Sequence, residues 1–284
     1  MADVPSGPVP PPPPPPEGTP PGPGSLRPRG LGDILSAAFE IYKDNAQGLI
    51  VIVAIVVIPL SLISALIVHY AISNTTTTST TVGGVSYSVT TTSTGASLFA
   101  VVIAGAIGVI ISAVLQAAII RAGAQATIGD PVDVEASYRY GFHRLGSVIL
   151  VGFLYALAVG IGFVLLIIPG IIALVFLSVS IPSLVVEDRR GTQALSRSWN
   201  LVSGHFWHAF GVIIVAFLIA AVVSGLLGAI GGSNWFVRWI FNAIGQIITT
   251  PFTALVSILL YLDLRARKEA LTTDVLRTEL ASGM

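Results

Sequence analysis

The sequence predicts an all-α integral membrane protein: six transmembrane helices arranged as three helical hairpins, each preceded by a short interfacial amphipathic helix. Three observations predict it. Charged residues are 10% and apolar residues 54% of the 284, with a mean hydropathy of +0.87. A soluble domain carries roughly 25% charge, so this chain lacks the polar surface to cover itself in water. Apolar stretches recur at close to the roughly 20 residues that cross a bilayer core. Lysine and arginine, finally, are sorted between alternate connections.

The first thirty residues stand apart. Pro10 to Pro16 is an unbroken proline run, and Pro, Gly, Ser and Thr dominate from Val4 to Gly30. Such a segment has little to bury and is expected to be a disordered, proline-rich arm, locally extended as polyproline II. It lacks the apolar core of a secretory signal. Two roles stay open for residues 1–30: a spacer, or a docking arm for a protein that reads polyproline.

The membrane domain is expected over 31–264, with spans at about 49–72, 97–122, 147–168, 170–186, 207–230 and 239–262. The third and fourth spans are one long apolar stretch, divided at Pro169-Gly170 because proline limits helix propagation and glycine relaxes the backbone. Residues 265–284 are expected to form a basic tail.

Charge tests this count independently, since positive residues collect in short cytoplasmic connections. With the N-terminus inside, the inner segments hold Arg27, Arg29, Lys43, Arg121, Arg139, Arg144, Arg189, Arg190, Arg197, Arg265, Arg267, Lys268 and Arg277. Only Arg238 falls outside. Removing one span would reverse every later connection and destroy the asymmetry. Both termini are therefore expected in the cytoplasm of a bacterial cell, with the cytoplasmic (plasma) membrane as the location.

The outer loop, 73–96, is uncharged and rich in Thr and Ser. Alternation in Val85-Ser-Tyr87-Ser-Val89 after Gly83-Gly84 suggests a small β-hairpin; a flexible polar linker is the alternative. Asn74-Thr75-Thr76 matches a glycosylation acceptor, which a bacterial chain would not use.

Ahead of the first, third and fifth spans the same short pattern recurs, a Ser followed three residues later by an aromatic: Ser36 and Phe39, Ser137 and Tyr140, Ser196 and Trp199. Aromatic, basic and small residues at helical spacing describe helices lying in the headgroup layer, rings at the interface and arginines near lipid phosphates. The third copy defines an interfacial motif of Glu187, Arg189, Arg190, Ala194, Arg197, Ser198 and Trp199.

Pro169-Gly170, Glu187 after its apolar run, Ala194-Leu-Ser-Arg-Ser-Trp-Asn-Leu201 and Gly204-His-Phe-Trp207 together resemble the membrane domain of the glycerophosphoryl diester phosphodiesterase family. The ending Tyr261-Leu-Asp263-Leu-Arg265-Ala-Arg267-Lys268-Glu269 is similar to that of stand-alone actinobacterial members, and the likeness covers about Leu31 to Leu280. It implies a membrane fold without the catalytic domain. That domain needs a barrel of roughly 200 residues or more, for which no room is left. His143-Arg144 matches the His-Arg start of the family's catalytic motif, but no Glu-Asn partner follows.

Chemistry is sparse elsewhere. With no cysteine, disulfides, thiolate catalysis and Fe–S clusters are excluded. A phosphate-binding loop, a nucleophile elbow and a zincin helix are missing, and Gly160-Ile-Gly162 inside an apolar helix is no dinucleotide fingerprint. No catalytic residue, cofactor or metal site is expected, and the balance of 14 basic against 14 acidic residues gives no net field to gather nucleic acid.

No ionisable group is expected at mid-membrane. Arg121 should snorkel to the inner surface, and Asp263 should pair there with Arg265 or Arg267. Polar residues Gln116, Asn242, Gln246, Thr249, Thr250 and Thr253 fit helix-to-helix hydrogen bonding. Pro59, Pro182 and Pro251 are expected to interrupt their helices. Ala104, Gly105, Gly108, Gly152 with Ala156, Gly160 and Gly228 with Gly232 should let helices pack closely.

The expected role is that of a non-enzymatic membrane scaffold or accessory protein, whose partners are the lipid bilayer and proteins engaged through the proline arm. The alternative is a small-molecule or lipid transporter with Gln116, Gln246 and Thr250 on its path. An enzyme of glycerophosphodiesters ranks third and disfavoured.

Overall fold

The computed structural model describes residues 28–282 other than 74, 83–84, 93, 231–233 and 270, with side chains of 67–106 and 281–282 left aside. The proline run, the Gly83-Gly84 turn, Asn74, Ala104, Gly105 and Gly232 lie outside what is described. Eleven helices and two strands follow one another among the described residues. The chain is an α-helical, multi-pass membrane protein with six segments long and apolar enough to cross a bilayer.

α1 (Leu31–Asp44) leads into α2 (Ala46–Ser73), which continues through Pro59. β1 (Thr75–Val82) pairs antiparallel with β2 (Val85–Thr92), Val82 opposite Val85, so the alternation in the loop does form a hairpin. α3 (Thr94–Thr127) returns, and α4 (Val134–His143) folds against it, capped by Asp133 accepting from Ala136 N at 3.0 Å. α5 (Leu145–Leu165) and α6 (Ile167–Phe176) form a tight hairpin. α7 (Ser180–Glu187), α8 (Thr192–Val202), α9 (Phe206–Ile230), α10 (Trp235–Lys268) and α11 (Thr273–Ser282) complete the chain.

The hairpin turns at Leu166, not at Pro169-Gly170. Leu166 alone is extended, with φ −164° and ψ 156°, while Pro169 occupies the first turn of α6. There its missing N–H has no intrahelical acceptor to lose. Close approach is instead the work of two glycines. A Cβ on Gly162 would come within 2.9 Å of Gly170 Cα, and one on Gly170 within 2.5 Å of the Phe163 ring.

The small residues expected at helix contacts divide. Gly108 faces Leu60 and Gly228 faces Asn242, whereas Gly152 and Gly160 meet nothing within 4 Å. Pro251 likewise lies inside an unbroken α10. The fourth span is the one that is interrupted: α6 ends at Phe176, α7 begins at Ser180, and Pro182 sits in the first turn of α7.

Two helices of 34 residues, α3 and α10, organise the packing. At about 1.5 Å per residue each is about 50 Å long and overruns the bilayer core. Their last turns form the axis of the core: Ala117 to Ala124 of α3 and Leu255 to Leu264 of α10 are largely sealed, with α1, α4, α7, α8 and α11 around them. Each short helix contributes one stripe: Ile34 and Ala38 from α1, Ser137, Tyr140 and Gly141 from α4, Ala194, Ser198, Leu201 and Val202 from α8. In the opposite half, helices meet few protein neighbours. Only 11% of the apolar window of α9 is buried against 61% of that of α10, which leaves the flanks of α9 for lipid.

Two expectations change at the sealed end. The segment after the last span is more than a basic tail: α10 runs to Lys268, and α11 buries Leu276 and Leu280 in the core. The three Ser-and-aromatic copies are not equivalent either. Phe39 is 62% and Trp199 47% exposed, but Tyr140 is 6% exposed and points inward.

Candidate functional site

The two ends of the bundle offer different chemistry. At the sealed end an ion-pair lattice ties distant segments together. Glu187, at the last turn of α7, has a side chain only 6% exposed. Its Oε1 accepts from Arg197 Nε at 2.9 Å and from the Tyr261 hydroxyl at 2.5 Å, with Arg265 Nε at 3.6 Å. Arg265 in turn donates to both oxygens of Glu279, at 2.6 and 3.0 Å, and to Glu269 at 3.1 Å. Arg197 Nη2 closes the circuit on Glu269 at 2.6 Å. Two guanidinium groups thus share three carboxylates from α7, the end of α10 and α11. Burying charge is costly unless it is paired in this way.

Protonation follows from those contacts. Burial alone would raise the Glu269 carboxyl, but the hydrogen bonds and charges of Arg197 and Arg265 outweigh it and hold it below the usual carboxylate range. Burial likewise opposes the charge on Arg197, and Glu187 and Glu269 more than reverse this.

A second ionic cluster fastens the beginning of the membrane domain. Asp263, 2% exposed, accepts from Arg267 Nε at 2.8 Å and lies 2.9 Å from His208 Nε2. Its other oxygen accepts the backbone N–H of Arg29 at 2.5 Å, while Arg267 Nη2 donates to the Arg29 carbonyl at 2.6 Å. The expected pairing with Arg267 is present, but the group is buried, and Arg265 is committed to glutamates instead. Arg121 departs further from expectation: it is 2% exposed, its guanidinium sits 4.5 Å over the Tyr140 ring, and Nη2 donates to the Leu280 carbonyl at 3.4 Å. It is enclosed by α4 and α11 and does not snorkel.

The interfacial motif splits into inward and outward members. Ala194 and Ser198 are fully buried. Ser198 Oγ donates to the Phe176 carbonyl at 2.8 Å and accepts from Val179 N at 3.2 Å, so it serves both sides of the break between α6 and α7. Trp199 stacks on Phe176 at 4.1 Å. Arg189 and Arg190 point outward, 52% and 57% exposed, beside Glu187 at 3.3 Å and Asp188 at 3.1 Å. Asp188 is the one non-glycine residue with positive φ among those described, and it also receives Arg144 at 3.0 Å, joining α4 to the turn after α7.

In the opposite half, α2, α3 and α10 diverge around a cavity of about 700 Å³. Gln246 and Thr250 line it with Arg238 and Asn242; Gln116, one turn beyond Ser112 on α3, does not. The apolar wall is Val56, Val57, Leu60 and Leu115, and Trp239 Nε1 donates to Ser61 Oγ at 3.0 Å across it. Thr249 and Thr253, expected to bridge helices, instead return their hydroxyls to α10's own carbonyls. Below Thr250 the α10 side chains enter the sealed core, so this vestibule does not continue into the sealed end.

No group of three or more His, Asp or Glu side chains converges to hold a metal ion among the described residues. Tyr261, Glu269, Glu279 and His208 were not singled out from the sequence as site residues. Their partners lie on other elements, and only the acid-base alternation around 261–269 hints at them. In comparisons with known proteins the chain matches no family model, no curated protein and no solved structure.

Proposed function

We propose that this chain is a non-enzymatic protein of the bacterial cytoplasmic membrane, with both termini cytoplasmic, that organises or assists partner proteins. The observation that carries the reading is the sealed end, where five short helices and two ionic clusters make a rigid face around α3 and α10. Every described basic residue except Arg238 belongs to the half of the chain that builds this face, as the positive-inside rule requires of a cytoplasmic side. The Arg29 backbone is held at that face by Asp263 and Arg267, which supports a docking role there for the proline-rich segment that precedes it in sequence. Kinship with the membrane domain of glycerophosphoryl diester phosphodiesterases belongs to the same proposal and rests on the motifs quoted above.

Cross-linked co-purification from native membranes tests it, with the full chain compared with one lacking residues 1–30. Partners that depend on the arm support the assignment; an identical set of captured proteins from both forms, or none from either, counts against it.

The vestibule favours a second reading, a transporter of small molecules or lipids with Gln246 and Thr250 on its path. Reconstituted vesicles decide: solute or lipid movement that falls in Gln246→Leu supports transport, and inert vesicles remove it. The third reading, hydrolysis of glycerophosphodiesters, predicts metal-dependent turnover by the purified chain, and we expect none.

A further inference from the structure

α10 carries polar groups at every fourth position through the vestibule: Arg238, Asn242, Gln246 and Thr250. Four residues advance a helix by about 6 Å with slightly more than a full turn, so these side chains form one gently winding stripe about 18 Å long. None has a hydrogen-bond or ion-pair partner among the described residues, where Trp239 and the threonines on the neighbouring faces of α10 are satisfied. Polar groups within a membrane helix normally find partners on neighbouring helices. Here the facing wall of α2 and α3 does not partner them: it offers Val56, Val57, Leu60 and Leu115, the hydroxyls of Ser61, Ser64 and Ser112 donate to their own helices, and Ser61 Oγ accepts from Trp239.

Charge decides which ligand suits the stripe. Among the described residues Arg238 is the only charged side chain lining the cavity, and it is the one basic residue that the charge pattern assigns to the far side. It stands near the start of α10, with Asn242 and Gln246 following toward the closed end. Trp235 and Trp239 flank it, in the pattern of aromatic residues at a membrane boundary. A cavity of about 700 Å³ falls within the range of small-molecule sites.

We propose that the vestibule binds a small organic anion that carries hydrogen-bonding groups along its length, its acidic group on Arg238 and its hydroxyl or amide groups on Asn242, Gln246 and Thr250. The anion can be a free hydroxy acid or the head group of an acidic lipid, since both present the same chemistry. The ligand class rests on the transport reading only for the location of the site. Binding is measured without a second compartment, so its loss sinks the ligand class, while vesicle flux judges transport separately.

The test uses the full chain in nanodiscs. In neutral phosphatidylcholine discs, gluconate is titrated with sorbitol as the uncharged control; in a parallel arm, phosphatidylglycerol is introduced into the discs. Melting temperature is the readout. Stabilisation by gluconate but not sorbitol identifies a free anion, and stabilisation by phosphatidylglycerol identifies a lipid head group. In either arm the apparent affinity should fall about tenfold or more in Arg238→Gln, the loss expected when a charge-assisted contact is removed. Gln246→Leu should weaken binding less, without unfolding the chain, because its side chain touches an open space. The proposal is overturned if neither probe shifts the melting temperature, or if the shift persists undiminished in both variants.

Discussion

The two halves of the molecule solve the problem of polar groups in opposite ways. At the sealed end nearly every ionisable side chain within the core is paired: Glu187 with Arg197 and Tyr261, Arg265 with Glu279, Asp263 with Arg267. In the vestibule half, the polar groups of α10 at 238, 242, 246 and 250 face an open volume with no partner among the described residues. The difference teaches where stability and where adaptability reside. Paired charge fixes one arrangement because removing either member strands the other, whereas unpaired polar groups leave their half free to accept something else.

The largest effect should come from breaking the lattice at its centre. Glu187→Ala takes the 6%-exposed carboxylate from Arg197, leaving it Glu269 alone, and removes the acceptor of the Tyr261 hydroxyl; loss of one member of a buried pair costs about 3–5 kcal/mol. Thermal denaturation of the detergent-solubilised protein should show a large fall in melting temperature; an unchanged value would mean that the lattice does not hold this end together.

Ser198→Ala comes next. It removes the hydroxyl that serves the Phe176 carbonyl and the Val179 N–H, a loss of about 1–3 kcal/mol for a buried group left unsatisfied. Ser198→Thr should recover part of it, as read by the same melt.

Acid should loosen the same end more gently. Because the Glu269 carboxyl is held below its ordinary range in the folded chain, its stabilising effect is complete above the unfolded value and is lost as pH falls through the lowered folded one. Melting temperature followed against pH should separate wild type from Glu269→Gln at neutral pH and bring them together in acid. The separation is modest, since the Glu269 side chain is 37% exposed and solvent screens it. Curves that stay parallel into acid would show that Arg197 and Arg265 do not depend on it.

The smallest effects should be at Gln246 and Gln116. Neither side chain has a protein partner among the described residues, so Gln246→Leu and Gln116→Leu should each change stability by no more than about 0.5 kcal/mol. A much larger loss in Gln246→Leu alone would mean that the vestibule side chains are structural.

Much of this architecture is legible in the sequence, and the rest has physical reasons for being hidden. Six spans follow from hydropathy and charge sorting because lipid imposes length and sign on a one-dimensional pattern. The hairpin in 75–92 is one of the two readings, with a flexible linker, that the alternation around Gly83-Gly84 allows. The long apolar stretch divides at Leu166, three residues before Pro169, because proline is as compatible with the start of a helix as with its end. The burial of Arg121 and Asp263 is invisible locally: each depends on an element from the far end of the chain, Arg121 on α11 and Asp263 on the backbone of Arg29. α11 itself left a trace, since Thr272 to Asp274 ahead of Leu276 and Leu280 is a start signal followed by helical spacing, and Thr272 Oγ1 does accept from Val275 N at 3.4 Å. At the vestibule, Gln246 and Thr250 were legible as polar residues in a span, but their convergence with Arg238 and Asn242 requires the fourfold spacing to be set against an apolar wall.

Impermeant thiol labelling tests the contrast between a sealed end and an open one most directly. The chain has no cysteine of its own, so single replacements report cleanly. Gln246→Cys in the vestibule should react with a membrane-impermeant maleimide added outside intact cells, while Ser183→Cys, at a position fully buried in α7, should stay unmodified. Equal labelling of the two, or labelling of position 183 alone, would contradict both the sidedness and the packing.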